Sequence, residues 1–129
     1  MSQPQPAIGA VCWRDLTVPN ADEVARFYAA VAGWSCQPCP MGDYDDFEMV
    51  DGNGETVAGV CHARGSNANL PPQWLVYINV ADADESAARC VELGGTIIDG
   101  PRDMGPSRFC AIRDPAGAVA ALISTPPAQ

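Results

Sequence analysis

Apolar positions along this chain change period several times, and the changes come in the same order twice. In "NADEVARFYAAVAG", Val24, Phe27, Tyr28 and Val31 fall at i, i+3, i+4 and i+7, the spacing of one helix face. Asn20 stands as its N-cap with Glu23 at the capping-box position, and Gly33 ends it. "DADESAARCVELGG" repeats the pattern, with Asp82 as cap, Glu85 three residues on, Ala87, Cys90 and Val91 on the apolar face, and Gly94 as the stop. Before each helix lies a strand pattern, "GAVCWRDLTV" over 9–18 and "QWLVYINV" over 73–80, apolar or alternating and rich in β-branched and aromatic residues. Three more strands are predicted after each helix: 34–40, 45–50 and 56–63, then 95–99, 107–113 and 118–124. The turns "MGDY", "DGNGE", "DMGPS" and "DPAG" divide them.

Each half therefore reads as βαβββ, and "DGNGETVAGV" (Asp51 to Val60) returns as "DPAGAVAALI" (Asp114 to Ile123). The predicted class is α+β, with a first module over 7–63, a connector "RGSNANLPP" over 64–72 and a second module over 73–125. A half of this size has a marginal core alone, so residues 1–129 are expected to form a single domain. The ends, Met1 to Pro6 and Pro126 to Gln129, are expected to be disordered.

Charge narrows the function classes. Sixteen acidic against seven basic residues give a net charge of -9, which opposes a nucleic-acid backbone or an anionic membrane surface. The start "MSQPQPAIGA" has no basic n-region followed by an apolar run, and no segment is a membrane-helix candidate, so a soluble cytoplasmic protein is expected. Without a secretion signal, the 6 cysteines do not argue for a disulfide framework. Cys36 and Cys39 have CxxC spacing, but no second ligand pair accompanies them and Pro38 and Pro40 disfavour the helix of a redox dithiol. They read as an extended segment with two thiols.

The residues "WRDLTVPNADEVARFYAAVAGW", "PPQWLVYINVADADE", "ELGGTIIDGPRDM" and "RFCAIRDPAGAV" resemble the vicinal oxygen chelate superfamily, which includes glyoxalase I, bleomycin-resistance proteins and extradiol dioxygenases. The resemblance covers nearly the whole chain. It implies two βαβββ modules paired into a curved mixed sheet that encloses a cavity, often in a homodimer. It also implies a divalent metal held by His, Gln or Glu from the first and last strands of each module. The matching positions here are Trp13, Ala58, Leu75 and Ala121, none of which can donate to a metal. A metal-free cavity and no cofactor are therefore expected.

Strand alternation from those four positions assigns the cavity lining to Trp13, Asp15, Ala58, Val60, His62, Leu75, Tyr77, Asn79 and Ala121, with Cys12 and Cys61 turned toward the helices. Such a lining suits a small organic ligand, aromatic or, given the acidic balance, cationic. Trp13 and Tyr77 could stack on it or belong to the core. His62 is the one histidine, with general base and water-bonded strand end as its alternatives. Asp15 reads as a structural hydrogen-bond partner, "GDYDD" as a solvated turn, and Arg108 as paired with an acidic neighbour. The leading expectation is a small-molecule binder comparable to bleomycin-resistance proteins. The alternative is a glyoxalase- or dioxygenase-type enzyme whose metal uses His62 with Cys12, Asp15 or Glu48.

Overall fold

A computed structural model describes residues 6–126, and each half of the chain has the predicted element order. The first half holds β1 (Val11–Val18), α1 (Ala21–Ala32), β2 (Ser35–Pro40), β3 (Asp45–Val50) and β4 (Thr56–His62). The second holds β5 (Trp74–Asn79), α2 (Ala83–Glu92), β6 (Thr96–Met104), β7 (Ser107–Arg113) and β8 (Val119–Ser124). The chain is α+β, and it divides into two compact units, one over Trp13–Trp74 and one joining the segment up to Cys12 with the chain from Leu75 onward.

In the unit Trp13–Trp74, β1 pairs parallel with β4, while β4 with β3 and β3 with β2 are antiparallel. Helix α1 lays Ala21 and Ala25, with Val24 and Tyr28, against Leu16, Val18, Met49, Ala58 and Val60. Small alanines let the helix approach the sheet closely, and this rotates the buried stripe away from the one read from periodicity. Phe27 and Val31 are consequently 55% and 67% exposed. Strand β2 tolerates Pro38 and Pro40 because it ends its run of strands and bonds only β3, so a missing N–H costs little on its outer side.

The other unit repeats the topology: β5 is parallel to β8, and β8 with β7 and β7 with β6 are antiparallel. Strand β6 runs past the expected end at 99. Gly100, at φ 89, and shifts of register between Ile97 and Arg102 accommodate Pro101, so pairing resumes with Arg102 opposite Phe109. Residues 7–12, expected in the first module, belong with this unit. The Gly9 N–H donates to the Asn79 carbonyl, the Asn79 N–H to the Ala10 carbonyl, and Asn79 Nδ2 to the carbonyls of Pro6 and Ala7. Apart from Pro6 and Pro126, the ends expected to be disordered lie outside the described residues. No helix among the described residues is long and apolar enough to cross a membrane.

The two helix starts differ. The Asp82 carboxylate accepts from the Glu85 N–H at 3.1 Å, whereas Asn20 makes no side-chain cap bond. Asp82→Ala should therefore cost about 1 kcal/mol in urea unfolding and Asn20→Ala only a few tenths. Equal losses would show that the Asp82 bond does not stabilise α2.

Candidate functional site

Strand alternation gives the strands of each unit one face against their helix and one turned away from it. In the unit Trp13–Trp74, Leu16 and Val18 pack under α1, so Trp13, Asp15 and Thr17 take the helix-free face. The register Asp15↔Gly59 and Thr17↔Cys61 places Gly59 and Cys61 on that face too. The expected lining is thus half corrected here. Ala58 and Val60 are fully buried in the α1 core, because β4 pairs with β1 one residue away from the register counted from the turn glycine. His62 shares their parity and leaves the Trp13 face with them. Cys61, expected toward the helix, faces away from it.

The helix-free face is built around a carboxylate. The Trp13 indole N–H donates to Asp15 Oδ1 at 2.6 Å, and that oxygen lies directly over Gly59, where a Cβ would collide with it. Asp15 therefore occupies the space of a β4 side chain, which only glycine leaves open. Burial, and after it the Asp15 and Asp46 carboxylates, push the Cys61 thiol well above the ordinary thiol range. A thiol held protonated in this way is a poor nucleophile. Cys36 packs against the core beneath α1, and burial raises its thiol as well. Its CxxC partner Cys39, three residues on in a strand, falls on the opposite face, so the two cannot act as a dithiol.

His62 is held at the edge of the α1 side. Its Nδ1 is 3.3 Å from Asp46 Oδ1 and its Nε2 is 3.8 Å from Asp22 Oδ1. Asp46 also accepts the His62 backbone N–H at 2.8 Å. Asp46, expected in a solvated turn, is instead buried in β3 because this strand-end donor and the ring both need its oxygen. The Tyr44 ring meets the imidazole edge-on, with the Arg64 guanidinium over Tyr44 at 4.0 Å.

In the other unit, Ser124 Oγ accepts the Ala83 N–H at the start of α2, which sets Ser124 and Leu122 toward the helix. Leu75, Tyr77, Asn79 and Ala121 therefore share the helix-free face, with Tyr77 directly opposite Ala121. All four are buried, and Asn79 spends its amide on the carbonyls of Pro6 and Ala7. Three further residues on this face escaped the sequence reading. Phe109, fully buried, lies 5.8 Å from the Tyr77 ring centroid. The Arg102 guanidinium covers Phe109 at 4.6 Å, and Asp99 accepts from Arg102 Nε and Nη2 at 3.0 to 3.2 Å. The alternation in "RFCAIR" could have found Phe109, but ending the strand at Asp99 hid Arg102.

A cavity of about 320 Å³ also opens on the α2 side, lined among others by Asp82, Asp84, Asp103, Ser107, Arg108 and Ser124. Arg108 there is paired as expected, forked onto Asp84 and bonded to Asp103. Its guanidinium holds the Asp84 carboxyl below the usual range. With Arg108 committed to two exposed carboxylates, this cavity is a solvated ion-pair cleft rather than an organic-ligand site.

The metal implied by the sequence resemblance does not fit these side chains. Trp13, Leu75 and Ala121 offer no donor, and on β4 neither the buried Ala58 nor Gly59 does. Among the described residues, no group of three or more His, Cys, Asp or Glu is placed to hold a metal ion.

Residues 11–123 match the family model of the glyoxalase-like domain. The chain is 30% identical over 123 residues to the provisionally named glyoxylase CFP32 of Mycobacterium bovis, covering 94% of this chain and 46% of that protein. It is also 30% identical over 129 residues to the anthracycline biosynthesis protein DnrV of Streptomyces peucetius, covering 90% and 47% respectively. The chain thus spans about half the length of these relatives. Its fold matches that of methylmalonyl-CoA epimerase from Mycobacterium tuberculosis at a TM-score of 0.55 and 14% identity, covering 97% of this chain and 94% of that one. A Streptomyces coelicolor methylmalonyl-CoA epimerase variant in complex with 2-nitronate-propionyl-CoA gives 0.53 at 16% identity, covering 94% and 100%.

Proposed function

The chain belongs to the glyoxalase-like domain family, and on that premise we propose that it binds a small planar organic molecule against helix-free sheet surface, without a catalytic metal. The observation that carries this reading is the Trp13, Asp15 and Gly59 arrangement. The indole N–H holds the Asp15 carboxylate over a glycine, so a fixed hydrogen-bond acceptor beside an aromatic plane fills the place where a β4 metal ligand would project. An aromatic surface with one oriented polar group is the chemistry of an organic-ligand site. The enzyme alternative needs His62 to join Cys12, Asp15 or Glu48 on one ion, but Asp15 and Glu48 lie on the face opposite His62, and the Cys12 thiol is turned to the Tyr77 carbonyl.

The test begins with elemental analysis of protein purified without a metal-affinity tag, before and after exposure to excess nickel, zinc, manganese and iron(II). No stoichiometric metal is expected. About one tightly held equivalent per chain, lost in His62→Ala, would establish the enzyme alternative instead. For the binding surface, Trp13→Ala should weaken an aromatic probe such as 1-naphthamide by about 1 to 3 kcal/mol, read by titration calorimetry. Unchanged affinity in a folded variant would remove Trp13 from the site.

A further inference from the structure

We propose that Asn53 is a self-modifying position, which deamidates through a cyclic imide at a rate set by the Asp51 carboxylate; this is independent of the binder reading above. Asparagine is a thermolabile residue. Asn53 lies in the turn between β3 and β4, where residues 52–55 are all exposed. It is followed by Gly54, whereas Asn20, Asn67, Asn69 and Asn79 are followed by Ala21, Ala68, Leu70 and Val80. Ring closure brings the next residue's backbone nitrogen onto the side-chain carbonyl carbon, and a side chain on that residue obstructs the approach. Gly54 carries none. Nothing else crowds it either, since no atom lies within 4 Å of the place its Cβ would take.

The chemistry needs only water. The Gly54 nitrogen gives up its proton and bonds to Asn53 Cγ. The Cγ–Nδ2 bond then breaks, and ammonia leaves with a proton that balances the one given up. Water opens the imide: cleavage at Cγ gives aspartate, and cleavage at the former backbone carbonyl gives isoaspartate, whose main chain is longer by one methylene. Either product adds one negative charge to the net -9.

Asp51 restrains the first step. In the closed turn the Gly54 N–H donates to the Asp51 carbonyl at 3.1 Å, and Asp51 Oδ1 accepts from the Asn53 N–H at 2.9 Å and the Glu55 N–H at 3.0 Å. The attacking nitrogen is thus engaged, and the residues on either side of it are tied to one carboxylate oxygen. Attack follows opening of the turn, and an exposed loop opens locally at far lower cost than the whole fold. The second half of the chain builds a turn of the same pattern without the reactive pair. Asp114 Oδ1 accepts from the Ala116 N–H at 2.8 Å and the Ala118 N–H at 3.0 Å, and the Gly117 N–H donates to the Asp114 carbonyl at 2.9 Å. Ala116 stands where Asn53 does, so alanine suits this turn at that position.

The experiment incubates the full folded chain in mildly alkaline, reducing buffer and follows every asparagine by peptide-mapping mass spectrometry, with a guanidinium-denatured sample alongside. Asn53 should convert first, several-fold ahead of the other asparagines, to a mixture of aspartate and isoaspartate. Asp51→Ala, which frees the turn, should convert several-fold faster than the wild type. Asp51→Ser, whose hydroxyl holds such a turn more weakly than a carboxylate, should fall between them and carries the test if Asp51→Ala does not fold. Aged wild type should unfold at a lower urea midpoint than fresh protein, because isoaspartate lengthens the β3–β4 turn, and aged Asn53→Ala should not. Asn53 intact in the folded chain after the denatured sample has converted, or another asparagine converting first, would overturn the site. A wild-type rate in folded Asp51 variants would overturn the control by Asp51.

Discussion

Phe109→Ala should lower the unfolding free energy by about 3 to 5 kcal/mol, read as a lower urea midpoint at an unchanged m-value. Phe109 is fully buried, its ring packs against Tyr77, and the Arg102 guanidinium rests on its face. Truncation removes the apolar contact and the Arg102 stack together, and Ala111 and Ala121 beside it are too short to fill the space. The loss should therefore lie toward the upper part of that range. Phe27→Ala is the matched control, because Phe27 is 55% exposed on α1 and should cost well under half as much. Equal losses at the two positions would contradict the burial that distinguishes them.

Gly100→Ala should be strongly destabilising. Gly100 has φ 89, and a Cβ there would lie 2.7 Å from the Phe109 carbonyl oxygen, 3.1 Å from the Arg102 nitrogen and 3.3 Å from the Cys110 Cα. All three are backbone atoms of β6 and β7, so no side-chain rotation relieves the overlap. The backbone conformation alone costs a non-glycine residue about 1 to 2 kcal/mol, and moving paired strands apart adds to it. Gly54→Ala separates the two contributions, since Gly54 has a similar φ of 82 but nothing within 4 Å of its added Cβ. Gly100→Ala should exceed Gly54→Ala in urea unfolding and should also disturb the amide resonances of Arg102 and Phe109. Equal costs would mean that the strands accommodate the methyl and that only the backbone conformation matters.

How much of the site the sequence revealed depended on the unit. Counting outward from the strand patterns assigned Leu75, Tyr77, Asn79 and Ala121 to one face, and β5 and β8 do pair in that register. The same count failed for Ala58, Val60 and His62. In β4 the turn glycine Gly54 is not a fixed distance from the paired residues, since the β3 and β4 register shifts at Met49 and Val50. A shift of one residue turns every side chain to the other face. The stripe on α1 was displaced for a related reason. Periodicity marks apolar residues without weighing their size, and the close approach of helix to sheet selected Ala21 and Ala25 over Phe27 and Val31.

The sequence by itself determined what depends on local chemistry: two βαβββ modules from repeated caps, periods and turns, and the lack of metal donors at the expected positions. Local signals suffice there because capping, alternation and donor capacity belong to a residue and its near neighbours. Only the tertiary structure decided that Asp15 fills the space over Gly59, that Asp46 is buried against His62, and that Arg102 covers Phe109. Each of these joins separate strands through a register, and register is set by summed packing along whole strands rather than by any short stretch of sequence.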